Sequence, residues 1–248
     1  MAKLMIIAAG DGTRMGKTPI PKALHLINNK SNLVRTYEFV EQIFDEIFVV
    51  IKNEHVELFA EECVNNKLEN IYLIPIESGK GDGHAVMTAL RTLDTNTLND
   101  DFIIMWGDCV LNGNQIILEL LKVNFDDPRF IFPVKNESNP YVWFKLDDKN
   151  LPICAKFSKK EEFSDVGLHD QSLFKHRGLE LLYALNKMHS ILYRDDKYIT
   201  GEMNFLHLIH YFYNINQPAF LYQTKYYTES FNSIMELQEI SKIKHPEI

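Results

Sequence analysis

The chain has 248 residues, 46% of them hydrophobic, and a formal net charge of −8. That length suits one α/β domain, residues 1–248, with a substantial core, and the apolar content excludes general disorder. The acidic balance argues against a nucleic-acid partner, and no run approaches the roughly 20 apolar residues of a membrane span.

Leu4–Ala9 is a continuous apolar run suited to a strand buried on both faces, and the glycines of GDGTRMG (10–16) end it. A helix is expected from about Asn32, through Leu33, Val34, Tyr37 and Val40. Glu46–Ile51 reads as the next buried strand, His55–Val64 as a helix and Ile71–Ile74 as a third strand. His84–Leu93 follows as an apolar-faced helix, then Phe102–Trp106 as a buried strand closed by Gly107-Asp108. Alternation at these intervals predicts an α/β fold with a mixed, mostly parallel sheet flanked by helices. Right-handed crossovers would bring Gly10 and Asp108, each following a strand, to one sheet edge.

The second half changes character. Arg129–Val134, Tyr141–Leu146 and Ile153–Phe157 are short strand candidates separated by turn residues, suggesting a mixed or antiparallel extension over about 129–230. Leu173–Met188 is expected to be helical, with Gly178 weakening an uninterrupted helix. Glu202–Tyr213 reads as a helix, Ala219–Gln223 as a strand and Asn232–Ile243 as a closing helix. Cys63, Cys109 and Cys154 lie far apart without metal-ligand spacing, as reduced thiols do. The N-terminal apolar stretch is too short for a secretory leader, so a cytoplasmic location is expected. The oligomeric state, a homo-oligomer included, is left open.

A glycine-rich turn after a strand lets backbone N–H groups approach phosphates unhindered by a Cβ. Gly10, Gly12 and Gly16 suit that role, Thr13 offers a hydroxyl, and Arg14 and Lys22 can offset phosphate charge. Lys17 is nearby with no fixed direction, while Pro19 and Pro21 restrict the approach to Lys22. The pattern is neither GxxxxGK[ST] nor GxGxxG. On glycine count alone, a turn that merely allows a tight strand exit remains an alternative.

IIAAGDGTRMGKTPIPKAL resembles the opening of the sugar-phosphate nucleotidylyltransferase family, which carries AAGxGTRM, a spacer and PK. The resemblance implies a Rossmann-like nucleotidyltransferase fold. It implies that Ala8, Ala9, Gly10, Asp11, Gly12, Thr13 and Arg14 surround a triphosphate, and that Lys22 and Arg14 stabilise charge during transfer. ESGKGDGHA (77–85) is similar to the base-recognition loop of uridylyltransferases in that family, which places Glu77, Gly81, Gly83 and His84 at the nucleotide. The family's glutamine is absent, so a changed pyrimidine contact suits cytosine as well as uracil, with CMP slightly favoured over UMP.

Asp108 occupies the position of the family's GD after a major strand, where a carboxylate beside phosphates makes sense with Mg2+ between them. The second ligand is expected just before the last helix, where Asn232 stands ahead of Glu229. Asn232 as a helix N-cap is the alternative. On the acceptor side the resemblance points to Glu202 and to Lys156, with Lys159 and Lys160 in the same charge run, and Glu229 is also a candidate there. Gly167 opens GLHD (167–170), more polar than the family's GxYxF-like strand. A phosphorylated acceptor other than a sugar, such as phosphocholine or a phosphorylated amino acid, is therefore credible. No hexapeptide repeat is read, so the β-helix domain of bifunctional relatives is not expected. The expected partners are a nucleoside triphosphate and a phosphorylated small molecule, without nucleic acid or membrane. A hexose 1-phosphate uridylyltransferase, an inactive nucleotide-binding regulator and a glycosyltransferase are the competing readings, the last lacking a DxD-like pair at Gly107-Asp108-Cys109.

Overall fold

Lys3–Ile7 (β1) is buried along its whole length, as the apolar run from Leu4 requires, with the Lys3 ammonium paired to Glu46 and Asp100. In this computed structural model, residues 2–12, 15–16, 20–77, 80–124, 130–138, 140–157, 166–194 and 197–242 are described. After β1 comes a small hairpin, β2 (Leu26–Ile27) and β3 (Lys30–Ser31), then α1 (Asn32–Val40), β4 (Ile47–Lys52), α2 (Val56–Asn65) and β5 (Ile71–Ile76). Next are α3 (Asp82–Arg91), α4 (Thr95–Leu98), β6 (Asp101–Trp106), β7 (Cys109–Leu111) and α5 (Gln115–Lys122). The distal part holds β8 (Ile131–Ser138), β9 (Val142–Leu146), β10 (Pro152–Phe157), β11 (Val166–Asp170), β12 (Leu173–Arg177) and α6 (Gly178–Leu192). The chain continues through β13 (Tyr193–Arg194), β14 (Lys197–Tyr198), α7 (His207–Asn214), β15 (Phe220–Gln223), β16 (Thr228–Ser230) and α8 (Ile234–Lys242).

The main sheet runs β11-β8-β12-β6-β1-β4-β5, with β15 also pairing β8. Strands β6, β1, β4 and β5 are mutually parallel, whereas β12 runs antiparallel to β6 and β11 antiparallel to β8. This is the expected mixed α/β sheet, parallel in its first half. Side chains alternate across it. Met5 and Ile7 enter a core with α3, α6 and α7, while Leu4 and Ile6 enter a second core with α1 and α5. Helix α1 begins where the Val34 N–H donates to the Ser31 hydroxyl at 3.2 Å, an N-cap that ends the hairpin.

Two predicted helices are corrected. Leu173–Met188 is not one helix: its first five residues form β12, and Gly178 starts α6. A Cβ on Gly178 would stand 2.6 Å from the Phe102 ring, so the strand turns into the helix where only glycine fits. The strand also hides polar residues, since Lys175 is buried and donates to the Val123 carbonyl and Asn124 Oδ1, both at 2.8 Å. The predicted Glu202–Tyr213 helix starts only at His207, leaving Glu202 in a loop.

Candidate active site

The site begins where the parallel strands end, the edge at which open α/β sheets hold ligands. Beyond β1 the Ala8 N–H still donates to Val50 O at 2.8 Å, and then the chain leaves the sheet. A Cβ at Gly10 would meet nothing within 4 Å. Packing therefore does not require glycine there, and its backbone faces open space. Gly12 and Gly16 have φ of 58° and 78°, a region costly for residues with a Cβ.

Beside this loop, the Gly107 N–H donates to Ile7 O at 2.9 Å. A Cβ on Gly107 would lie 3.0 Å from that same oxygen, so glycine lets the β6 exit lie against the β1 exit. Asn32, buried at the start of α1, donates to the Gly107 carbonyl at 3.1 Å and the Cys109 carbonyl at 2.8 Å. Both sides of Asp108 are thereby held. The sequence reading missed Asn32; its one signal is a polar residue opening an apolar-faced helix.

Lys22 lies in a short 3-10 turn after Pro21. Its Nζ stands 2.6 Å from Asp108 Oδ2 and 3.0 Å from Asn232 Oδ1. Asn232 reaches this point because β16 pairs with β7, setting Ser230 opposite Cys109. Phe231 then packs with Met15, Ile27, Val110 and Leu237 in a small core. The helix-capping role falls to its neighbour: Glu236 N donates to Ser233 Oγ at 3.2 Å, and Ser233 N donates back to Glu236 Oε2 at 3.1 Å. This capping box leaves the Asn232 side chain to Lys22.

Among the described residues there is no group of three or more His, Cys, Asp or Glu that could hold a metal. The fit to Mg2+ rests instead on two oxygens, one carboxylate and one amide, converging on a single cation, the Lys22 ammonium. Mg2+ is commonly held by one or two protein oxygens with substrate phosphates and water completing its shell, and this pair matches that need.

These groups open into a cleft of about 1180 Å³. Asp11 lines it and pairs with Lys52, at the end of β4, at 2.6 Å. Glu77, Gly81, Asp82 and His84 line a second stretch. Burial, then the charges of Lys80, His189 and Arg91, push the His84 pKa down to about 4, so its ring is neutral near pH 7. Gly81 and Gly83 also pack against protein. A Cβ on them would lie 2.5 Å and 2.9 Å from the Met203 carbonyl oxygen. Thr13, Arg14, Lys17, Pro19, Ser78, Gly79, Lys159 and Lys160 lie outside the described residues.

Residues 4–196 match the model of the MobA-like NTP transferase domain. The chain belongs to that family. Among curated relatives, the bifunctional protein GlmU of Thermotoga sp. (strain RQ2) is 26% identical over 206 residues, covering 82% of this chain and 44% of that protein. GlmU of the Wolbachia strain from Brugia malayi is 33% identical over 182 residues, covering 73% and 42%. The chain thus spans less than half the length of these relatives. Among solved structures, HddC from Yersinia pseudotuberculosis superposes with a TM-score of 0.71 at 15% identity, over 98% of this chain and 99% of that one. A putative glucose-1-phosphate thymidylyltransferase from Bacillus anthracis, in complex with a sucrose, gives 0.74 at 12% identity, over 100% and 98%. These likenesses establish a shared nucleotidyltransferase fold, and family and fold together place the chain among the nucleotidyltransferases.

In this NTP transferase cleft the far wall comes from the antiparallel half. Glu202, from the loop before α7, and His169, on β11, both line it. His169 Nδ1 lies 2.8 Å from Glu137 Oε2. Asp170 is buried beside them, and burial raises its pKa. Gly167 sits two residues before His169 on the same strand face. Lys156 alternates with Ala155 and Phe157, which line the cleft, so its side chain leaves the opposite face of β10. Glu229 likewise precedes cleft-lining Ser230 and points away from it. One Glu229 oxygen is buried without a partner among the described residues, and burial raises its pKa. The sequence therefore named two residues, Lys156 and Glu229, whose neighbours rather than themselves face the cleft. No helix of the described residues is long and apolar enough to cross a membrane.

Proposed function

We propose that the protein transfers a nucleoside monophosphate from an NTP, CTP ahead of UTP, to a phosphorylated small acceptor and releases pyrophosphate. The observation that carries this is the meeting of Lys22, Asp108 and Asn232 beside a glycine-rich strand exit. An acceptor phosphate oxygen attacks the α-phosphorus, a new P–O bond forms, and the bond to the β-phosphate oxygen breaks with its electron pair leaving on pyrophosphate. The attacking group is already anionic, so no strong general base is required.

The Gly10–Gly12 backbone receives the phosphate chain, and Lys22 exchanges its contact with Asp108 for the charge developing on the phosphates. Arg14, from the same loop, is assigned the same sign of work. Asp108 and Asn232 would hold Mg2+, which supplies neutralising charge at the phosphate oxygens when bound. Alignment of the two substrates supplies the rest of the catalysis.

Glu77 gives CTP its small preference. The loop bearing it resembles a base-recognition segment, and a carboxylate accepts hydrogen bonds. Cytosine offers an amino donor where uracil offers only a carbonyl. On the acceptor side, Glu202 and His169 stand at the far wall, where Glu137 and Asp170 make the lining acidic, and Gly167, two residues before His169 on β11, is assigned to the same side.

The test is pyrophosphate release with each of the four common NTPs and Mg2+, against hexose 1-phosphates, phosphocholine and phosphorylated amino acids, with the product weighed by mass spectrometry. The expected result is an NMP-linked product, fastest with CTP. Nucleotide binding without pyrophosphate release across the panel overturns the proposal.

A further inference from the structure

The two walls of the cleft are tied together at a residue the catalytic scheme does not use. Asp82, the first residue of α3, lines the cleft, and its Oδ1 accepts two hydrogen bonds. One comes from the Gly83 N–H at 2.8 Å, within its own turn. The other comes from the Phe205 N–H at 2.8 Å, across the cleft base and 123 residues away. Around it the same two segments join by backbone: Gly83 N donates to Met203 O, and Met203 N donates to Lys80 O, both at 2.9 Å.

The glycines make this approach feasible. Gly81 takes φ of 95°, and any Cβ on it or on Gly83 would collide with the Met203 carbonyl. Segment 80–84 contributes Lys80 and His84 to the cleft, and segment 200–207 contributes Thr200, Glu202, Asn204 and His207. A shift of one segment therefore moves groups facing both substrates.

We infer that Asp82 is a positioning residue that couples the two walls, so that nucleotide binding at segment 80–84 orders the acceptor-side segment 203–206 before the acceptor arrives. This rests on the proposed nucleotidylyl transfer and adds to it a link between the two substrate sites. Accepting two N–H groups at one oxygen needs no negative charge, so an amide oxygen can replace the carboxylate. Burial, with the Coulombic repulsion from Glu202 as a smaller addition, raises the Asp82 pKa to about 6, so the carboxylate also feels the charge of the acceptor-side loop.

Backbone hydrogen exchange tests this without knowing the acceptor. CTP and UTP, each with Mg2+, are added to the full chain, and exchange is followed at residues 8–12, 80–85 and 203–206. In the wild type, the nucleotide that binds should slow exchange at 203–206 by about tenfold, within the usual range of coupling between sites. Asp82→Ala should keep protection at 8–12 while cutting the effect at 203–206 to less than about twofold. Asp82→Asn should restore it, and Asp82→Ser, whose shorter side chain keeps an acceptor for the Gly83 N–H in its own turn but falls short of the Phe205 N–H, stands in if the alanine protein does not fold. Equal nucleotide-induced protection at 203–206 in the wild type and the Ala or Ser variant overturns the coupling. So does a wild type protected at 8–12 and 80–85 alone. Absence of protection at 8–12 in the wild type, with either nucleotide, instead strikes the nucleotide-transfer reading itself and the coupling with it.

Discussion

On one side of the cleft, Gly10, Lys22 and Asp108 hang from the ends of parallel strands and the turns that follow them; on the other, Glu137, His169 and Glu202 stand on antiparallel strands and a loop. In the first group the residues on either side of Asp108 are held through their backbone groups. Gly107 N on Ile7 O and the two Asn32 bonds leave Asp108 little freedom. The second group is fixed by side chains that lean on one another, as His169 does on Glu137, whose side chain is half exposed. A backbone-fixed wall preserves a reaction, whereas a side-chain-fixed wall can change its ligand by substitution without disturbing the sheet. A division of this kind lets one fold host more than one function.

The comparison breaks most visibly on the backbone-fixed wall. Lys22→Ala and Asp108→Asn should each lower turnover by roughly 10²–10³-fold, the usual loss when one charge-stabilising group is removed from a preorganised site. Lys22 and Asp108 are each about one-fifth exposed, so the partner left behind can hydrate and the fold should survive. Pyrophosphate release, paired with a thermal melt, measures both. Near-normal turnover in a folded Lys22→Ala protein removes that lysine from the chemistry.

His169→Ala tests the other wall with a smaller effect. It should raise KM for the acceptor by about tenfold while leaving KM for the nucleotide within about twofold, the signature of lost binding on one side alone. Initial-rate kinetics with each substrate varied in turn would show it. Equal changes in both constants would mean that the walls do not divide the substrates as described.

The same division decides what could be read from the sequence. Strands β1, β4 and β6 are apolar except for one charged residue at an end of each, and glycines follow β1 and β6, so the sheet edge and its loop stood out in one dimension. Asn32 did not, because a buried asparagine opening a helix looks like any polar helix start until its two carbonyl partners are known. The distal half was harder for a physical reason. In β12, Lys175 and His176 are buried polar residues, and the resulting LFKHR carries no strand alternation to read. The helix was expected to open at Glu202, the acceptor-side candidate, because TGEMNFLHLIHYF has helical spacing. The actual helix waits until His207, since Met203 and Phe205 are held by Lys80 and Asp82 instead. Lys156 and Glu229 stand one position from cleft-lining Ala155, Phe157 and Ser230, and in a strand one position exchanges one face for the other.

The smallest effect concerns the seam between the halves, strand β12, which pairs β6 on one side and β8 on the other. His176 on this strand is buried, stacked on Phe212 at a ring separation of 5.2 Å, and its Nε2 has no partner among the described residues. Burial holds its pKa down at about 4, against 6.5 when unfolded. The folded chain therefore keeps the ring neutral while the unfolded chain takes up a proton below 6.5. The contribution of His176 to stability is complete above that pH and is lost progressively as pH falls from 6.5 toward 4. His176→Phe removes the titrating group from a site already lined by aromatic rings. Urea denaturation at pH about 7.5 and about 5 should find that this variant loses less stability on acidification than the wild type. If the two lose equal stability, His176 is not the group that makes the seam acid-sensitive.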